Sequence, residues 1–282
     1  MFIDKYGEEF GINWLLRKFE MSPNAYYNYK KKRKNAKLKE KEKVKKTISA
    51  IYHTHNGVAG YRMMKVLLEQ KGIKLSLQTV RKYMNVELGL KSVTRKKKRP
   101  RSKSGSSDNY RIFDNLINQK FIANSRNTRW AVDFTYLYLA RGQKRYNCTI
   151  IDLYDRRVVA TKTGSKINAK LAIDTVKEAL GRHKITDELI IHSDRGSQFT
   201  SKAFVEYCKG EKITQSMSKP GCPYDNAPME RFFNTLKTEL INIHRYETEE
   251  QLSSSIICYS YGWYNNLRPH SFNDGLAPLK AA

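Results

Sequence analysis

The sequence predicts a helical, strongly basic N-terminal region followed by an α/β domain built on a mixed sheet. Three observations carry this reading. Positive charge gathers at one end: residues 1–100 hold 26 Lys and Arg against 8 Asp and Glu, and the remainder holds 27 against 19. Apolar residues recur at helical spacing before residue 90, whereas β-rich runs begin only at Trp130. Between the two lies Arg95-Lys96-Lys97-Lys98-Arg99-Pro100-Arg101, passing into Ser102-Lys103-Ser104-Gly105-Ser106-Ser107, a stretch with no apolar surface to bury. The chain of 282 residues therefore divides into a helical region at 1–90, a basic Ser/Gly-containing linker at 91–109, and an α/β domain with a C-terminal helix at 110–282.

In the first region, Gly11–Phe19 carries apolar residues at helical spacing. Ser22 is then a ready N-cap with Pro23 at the first helical position, and Ala25–Tyr29 runs into the basic stretch Lys30–Lys34. This is a helix-turn-helix rhythm. A second helical pair follows: Tyr61–Leu68 has a continuous apolar face, Gly72 ends it, and Ser76 precedes Leu77–Met84. The latter helix presents Gln78, Thr79, Arg81 and Lys82, side chains able to reach base edges and phosphates in a major groove. The same residues also suit a solvated polar face. Likewise Arg95, Lys96, Lys97, Lys98 and Arg99 either track phosphates or are simply hydrated.

In the second region Trp130–Leu139, Tyr146–Asp152 and Val158–Thr161 read as an antiparallel meander. A helix at Asn168–Leu180, a short buried strand at Leu189–His192, a helix at Thr200–Lys209 and a strand at Ile213–Met217 follow. Ala227–Leu240 is a strong helix, and a last helix covers Thr248–Tyr264. Five strands with interleaved helices make a mixed five-stranded sheet.

The excess of 53 Lys and Arg over 27 Asp and Glu, a net charge of +26, opposes folding by self-repulsion and points to a polyanionic partner. Nucleic acid is the first candidate and an acidic membrane surface the second. No run approaches the roughly 18 apolar residues of a membrane span, and no signal peptide precedes the charged start, so a soluble intracellular protein is expected. Cys148, Cys208, Cys222 and Cys258 lack CxxC spacing, which fits reduced thiols. His53 and His55 lack the HxxxH spacing of a zinc site.

In a chain this basic, acids at strand ends or helix starts are worth weighing, because phosphodiester chemistry needs an activated nucleophile, a stabilised leaving oxygen and shielded phosphate charge. Hard divalent ions do this with few carboxylate ligands. Asp133 sits mid-strand among apolar neighbours, where a lone buried charge is costly without a cation nearby. Asp194 follows an apolar strand at the turn where α/β sheets place ligands. Glu230 lies in the first turn of the helix that begins at Ala227-Pro228. Each has a plainer explanation: Asp133 can pair with a core Arg, Asp194 can be a turn residue, and Glu230 can answer its helix dipole. Asp152 and Asp155, at a strand end and turn, are the nearest decoys.

Three motifs are more specific: Trp130–Tyr136; His192-Ser193-Asp194-Arg195-Gly196-Ser197-Gln198-Phe199; and Asp225-Asn226-Ala227 through Glu230-Arg231-Phe232-Phe233, with Lys237 and Glu239. The last two acids are separated by 35 residues. Together these closely resemble the retroviral-integrase-type (DDE) catalytic core, and in particular the IS-three family of bacterial insertion-sequence transposases. Gly60-Tyr61-Arg62, Tyr264-Asn265-Asn266 with Arg268-Pro269-His270, and Gly275-Leu276 before Pro278 fit the same resemblance, which spans nearly the whole chain.

The resemblance implies a ribonuclease H-like catalytic domain in which Asp133, Asp194 and Glu230 bind two Mg²⁺ ions, Mn²⁺ being a substitute, with Asp133 bridging both. It implies that Lys237, two helical turns after Glu230, meets the transposon end; a solvated lysine beside an acid is the plainer reading. Arg195 is a further DNA-contact candidate. The implied activity is binding of terminal inverted repeats, cleavage and strand transfer into target double-stranded DNA by a homo-oligomer, in the bacterial cytoplasm at the nucleoid. The implied form is a downstream-frame product that partners an upstream-frame protein. A structure-selective nuclease on the same fold and a non-catalytic DNA-binding regulator derived from a transposase are the rival readings.

Overall fold

The computed structural model describes residues 2–31, 33–93, 112–185 and 188–281. The chain forms two compact units, Met1–Ser92 and Val93–Ala282. Arg95, Lys96, Lys97, Lys98 and Arg99 lie outside the described residues.

The first unit is all-helical. Helices α1 (Phe2–Phe10), α2 (Ile12–Lys18) and α3 (Pro23–Lys30) close around Ile3, Leu15, Leu16 and Tyr26. Tyr26 also donates its hydroxyl to Asp4 Oδ1 at 2.9 Å, which ties α3 back to α1. Helices α4 (Arg33–Thr54), α5 (Tyr61–Gln70) and α6 (Leu77–Arg81), the last continued by a π-helical turn at Lys82–Glu87, share a core of Ile48, Ile51, Met64, Leu67, Leu68, Val80 and Met84. Gly72, at φ 78, stops α5 in the left-handed conformation that glycine adopts without steric penalty, and Ile73 N donates to Leu68 O to close the motif. Ser76 caps α6, its Oγ accepting from Thr79 N at 3.2 Å. Sequence reading missed α1 and α4. Helix α4 is Lys-rich, and its buried positions fall only at its C-terminal end, so it lacks a full-length apolar stripe.

The second unit holds β1 (Arg129–Tyr138), β2 (Lys144–Asp152), β3 (Val158–Gly164), β4 (Ile190–Ser193) and β5 (Thr214–Met217), in the order β3-β2-β1-β4-β5. The pairs β1–β2 and β2–β3 are antiparallel, and β1–β4 and β4–β5 are parallel. This is the mixed five-stranded, ribonuclease H-like sheet that the resemblance implies. Helices α7 (Ala169–Arg182), α8 (Ser197–Thr200) and α9 (Lys202–Gly210) follow β3 and β4. Helix α10 (Ala227–Leu236) passes into a π-helical turn at Lys237–Ile241, and α11 (Glu249–Ile257) into one at Cys258–Tyr264. The expected helix over Thr200–Lys209 is α9, which starts two residues later because Ser201 is extended and caps it by accepting from Phe204 N at 3.3 Å, while Thr200 ends α8.

Alternation along β1 decides which helix covers which face. Trp130 and Val132 join the core under α7 and α9. Ala131 joins the opposite core with Met229, Phe232, Phe233 and Leu236 of α10, buried residues at the i, i+3, i+4, i+7 spacing of an amphipathic helix. Burying a side chain such as Phe232 or Leu236 stabilises by roughly 1.5–3 kcal/mol, which seats α10 firmly. Among the described residues no helix is long and apolar enough to cross a membrane.

Candidate active site

Asp133 shares the α10 face of β1 with Ala131, two residues away. Along that face Ala131 belongs to the core under α10 and Leu137 to a separate cluster with Tyr246, Leu252 and Ile256. Asp133 and Thr135 occupy the polar interval between these clusters. Across β2, Asp133 stands opposite Thr149 and Thr135 opposite Asn147. Thr149 Oγ1 donates to Asn147 Oδ1 at 2.7 Å, and Asn147 Nδ2 donates to Thr161 Oγ1 at 2.9 Å. A buried layer of hydroxyls and an amide therefore flanks the half-buried acid.

Strand register relates Asp194 to Asp133. Ala131 and His192 are the last partners of the parallel pair β1–β4, so Asp133 lies two residues beyond that pairing on β1 and Asp194 two residues beyond it in the turn after β4. The Asp194 carboxylate is held by its own turn, with Gly196 N donating to Oδ1 at 2.9 Å; Phe134 N similarly donates to Asp133 Oδ1 at 2.7 Å.

Behind Asp194, a polar network fixes the strand ends. The buried His192 ring lies 2.9 Å from Ser216 Oγ of β5, 2.8 Å from Asp225 O and 3.2 Å from Ser218 Oγ. The Asp225 carboxylate accepts from Lys219 N (2.9 Å), Gln119 Nε2 (2.8 Å) and Asn115 Nδ2 (2.9 Å), and the Lys219 amide hydrogen bond leads the causes that lower its pKa. Through Asp225 the loop preceding α10 is pinned to residues 115–119 and to His192. Asn115, Gln119 and Ser216 had no signal in the sequence. Asp225 was marked in the sequence only as part of the Asp225-Asn226-Ala227 motif ahead of a helix start, with no sign of its bracing role.

Glu230 is exposed in the first turn of α10 and lines a cavity of ≈ 420 Å³ with Arg231, Asn234, Thr235, Thr238 and Glu239. Among the described residues no three His, Cys, Asp or Glu side chains are grouped so as to hold one ion. Asp133 and Asp194 thus both follow the last paired residues of β1 and β4, and Glu230 stands on the helix packed against β1. Half-buried carboxylates on a strand and in the turn after a neighbouring parallel strand are hard-oxygen donors of the kind that divalent cations accept.

The remaining candidates fall in different places. Lys237 is half-buried at the end of α10, and Arg195 Nε donates to Ser218 O at 2.9 Å, tying the turn after β4 to the exit of β5. In the first unit Gln78, Arg81 and Lys82 are exposed along α6, whereas the Thr79 hydroxyl lies 2.8 Å from Ser76 Oγ at the cap. Asp152 and Asp155 are structural: the former accepts from Asn127 N and Tyr154 N, and the latter from Arg126 Nε at 2.8 Å.

Burial keeps two histidines of this unit neutral. It lowers the pKa of His192, and with the charges of Arg268, Arg156 and Arg231 it lowers that of His270 to about 4. Both folded values lie below the unfolded value near 6.5, so the unfolded chain binds more protons as pH falls. The stability that His270 contributes is complete above about pH 6.5 and is lost on the way down to about pH 4, and that of His192 is lost in the same direction. For His270 the shift corresponds to roughly 3 kcal/mol. Thermal melts at pH 7.5 and 4.5 should show the loss, and His270→Asn should flatten the dependence. Equal melting temperatures at the two pH values would contradict the assignment.

Comparison with known proteins adds the following. A family model described as an integrase core domain matches residues 123–223, a second of the same description matches residues 211–278, and an HTH-like domain model matches residues 39–98. The transposase for insertion sequence element IS904 of Lactococcus lactis is 35% identical over 240 residues, spanning 85% of this chain and 93% of that protein. Transposase InsF for insertion sequence IS3A of Escherichia coli is 29% identical over 280 residues, spanning 99% of this chain and 96% of that protein. The HTLV-2 integrase catalytic core domain in complex with magnesium overlaps 55% of this chain and 95% of that chain, at 19% identity and a TM-score of 0.42.

Proposed function

The chain belongs to the IS3 family of insertion-sequence transposases, built on an integrase core domain, and from that premise we propose that it binds the terminal inverted repeats of its own element and cuts and joins DNA there. The observation that supports the chemistry is that Asp133 and Asp194 each stand two residues past Ala131 and His192, the last partners of the parallel strands β1 and β4.

In this reading Asp133, Asp194 and Glu230 would together hold two Mg²⁺ ions, for which Mn²⁺ would substitute. No single ion then needs three protein carboxylates. Bound there, the ions supply activation of the attacking oxygen and shielding of phosphate charge. The protein's own part is placement. Asp225 and His192 hold the end of β4 and the loop entering α10, so the strand-borne and helix-borne acids keep a fixed spacing. A water oxygen attacks the phosphodiester at the element end and the bond to the 3′-oxygen breaks, leaving a 3′-hydroxyl. That hydroxyl then attacks a phosphodiester of the target: a bond from the element's 3′-oxygen to phosphorus forms, and the target's bond to its own 3′-oxygen breaks. The latter oxygen leaves as a 3′-hydroxyl with the proton the attacking group gives up, with no covalent protein–DNA intermediate.

The HTH-like region, with Gln78, Thr79, Arg81 and Lys82 on α6, reads the end sequence; Arg95 to Arg99, Arg195 and Lys237 engage phosphates. The working form is a homo-oligomer on DNA in the bacterial cytoplasm, at the nucleoid, with the upstream-frame protein as its partner. The test is a strand-transfer assay with labelled end DNA and Mg²⁺. Joined products are expected. Hydrolysis without joining would instead identify a nuclease, and binding without either would identify a regulator.

A further inference from the structure

The second unit carries a basic recess distinct from the pair of acids. It is a cavity of ≈ 310 Å³ beside α10, lined by Arg156, Arg231, Arg268, His270, Thr235 and Ser271 among others, with no carboxylate in its wall. The start of α10, at Ala227 and Pro228, also faces it and adds the partial positive charge of a helix N-terminus.

Arg156 is the unusual member. It is only 8% exposed and sits at φ 66, a conformation that a non-glycine residue holds only when its surroundings enforce it. Its guanidinium lies 4.0 Å from the centre of the Phe272 ring, and Nη2 donates to Phe121 O. Nη1 is buried with no hydrogen-bond partner. A buried donor without a partner is costly, which leaves this guanidinium with donor capacity to spare in a residue that lines the cavity. Arg268 is already neutralised by Glu239, at 2.8 Å. Arg231, exposed on α10, makes no ion pair or hydrogen bond among the described residues. Asp152 and Asp155 are close enough to act on the Arg156 charge, but neither lines the recess, which Arg156 and Arg231 both do. The pKa of His270, which lines the same recess, is lowered by burial and then by these three arginines, an independent sign of concentrated positive potential.

We propose that this recess binds a backbone phosphate of the DNA on which the enzyme acts, with Arg156 and Arg231 as charged donors and the Ser271 and Thr235 hydroxyls beside them. A phosphate group suits the forked donors of arginine and the start of a helix. The assignment rests on the reading of the chain as a DNA-processing enzyme. Its effect there is to hold the duplex against α10, the helix that bears Glu230.

The test uses the full chain and two exposed substitutions that leave the core untouched, Arg231→Gln and Ser271→Glu, the latter setting a carboxylate at the mouth of the recess. Inorganic phosphate, compared with chloride at matched ionic strength, should raise the melting temperature of the natural protein and not that of either variant. In DNA-binding titrations against salt, Arg231→Gln should lower the slope of log affinity against log salt by about 0.9, the loss of one phosphate contact. Absence of phosphate stabilisation in the natural protein, or variants that retain both the stabilisation and the slope, would overturn the proposal. Lost phosphate stabilisation with an unchanged slope would also overturn it, by showing a site for free anions and not for DNA. A natural protein that shows both effects but neither cuts nor joins DNA would refute the transposase reading and leave this site standing.

Discussion

Asp194→Asn should reduce Mg²⁺-dependent cleavage of end DNA by about 10³-fold or more while DNA binding persists, and Asp133→Asn should do the same. Asparagine matches aspartate in shape and keeps an oxygen for the Gly196 N–H, so the turn after β4 can survive the change. What disappears is the negative charge. Metal-assisted stabilisation of a phosphoryl-transfer transition state is worth several kcal/mol, and each 1.36 kcal/mol is tenfold in rate, so losing one principal ligand corresponds to roughly three decades. Single-turnover cleavage, with binding measured separately on the same DNA, separates loss of chemistry from loss of affinity. Unchanged cleavage in Asp194→Asn would remove this residue from the site, and with it the pair of acids on which the proposed chemistry rests.

The second large effect is on stability. Glu239 accepts from Arg268 Nη2 at 2.8 Å and Nε at 3.0 Å, from Tyr259 Oη at 2.8 Å and from Trp263 Nε1 at 3.3 Å. This cluster clamps the segment after α11 to the end of α10. Glu239→Ala should destabilise the catalytic unit by about 3–5 kcal/mol, because the Arg268 charge is left largely buried without its counter-ion. For a unit of this size that corresponds to a melting temperature lower by roughly 10 °C. Replacing both partners, as in Glu239→Leu with Arg268→Met, should cost less than Glu239→Ala alone, since buried pairs exchanged for apolar groups are often tolerated. A melting temperature within about 2 °C of the natural protein in Glu239→Ala would show that water reaches Arg268 and the clamp is weak.

How much of this was legible beforehand varies by element. The strands around Asp133 and Asp194 were legible because buried β-runs are apolar and β-branched, and α10 because Met229, Phe232, Phe233 and Leu236 repeat at helical period. Helix α4 was not, since Lys37 through Lys46 dominate it and only Ile48 and Ile51 are fully buried near its end. The start of α9 after Ser201 was missed because a serine before a helical run can equally continue a preceding helix. It becomes a cap only where the backbone turns extended.

The sequence by itself determined the division into a basic helical part and an α/β part, the order of the strands along the chain and the identity of the acids worth testing. Those properties are written in local period, local charge and local capping, so neighbouring residues suffice to read them. Tertiary structure alone decided that β1 and β4 run side by side in parallel, with Asp133 and Asp194 each two residues past their last paired positions. It also decided that Asp225 braces the loop into α10 and that Arg156, Arg231 and Arg268 share one recess. These groups are 61 residues apart in the first case and up to 112 in the last, and no local pattern specifies which distant strands or helices meet. Sheet order and the packing of α10 across β1 supply that information, by bringing separate parts of the chain to one face.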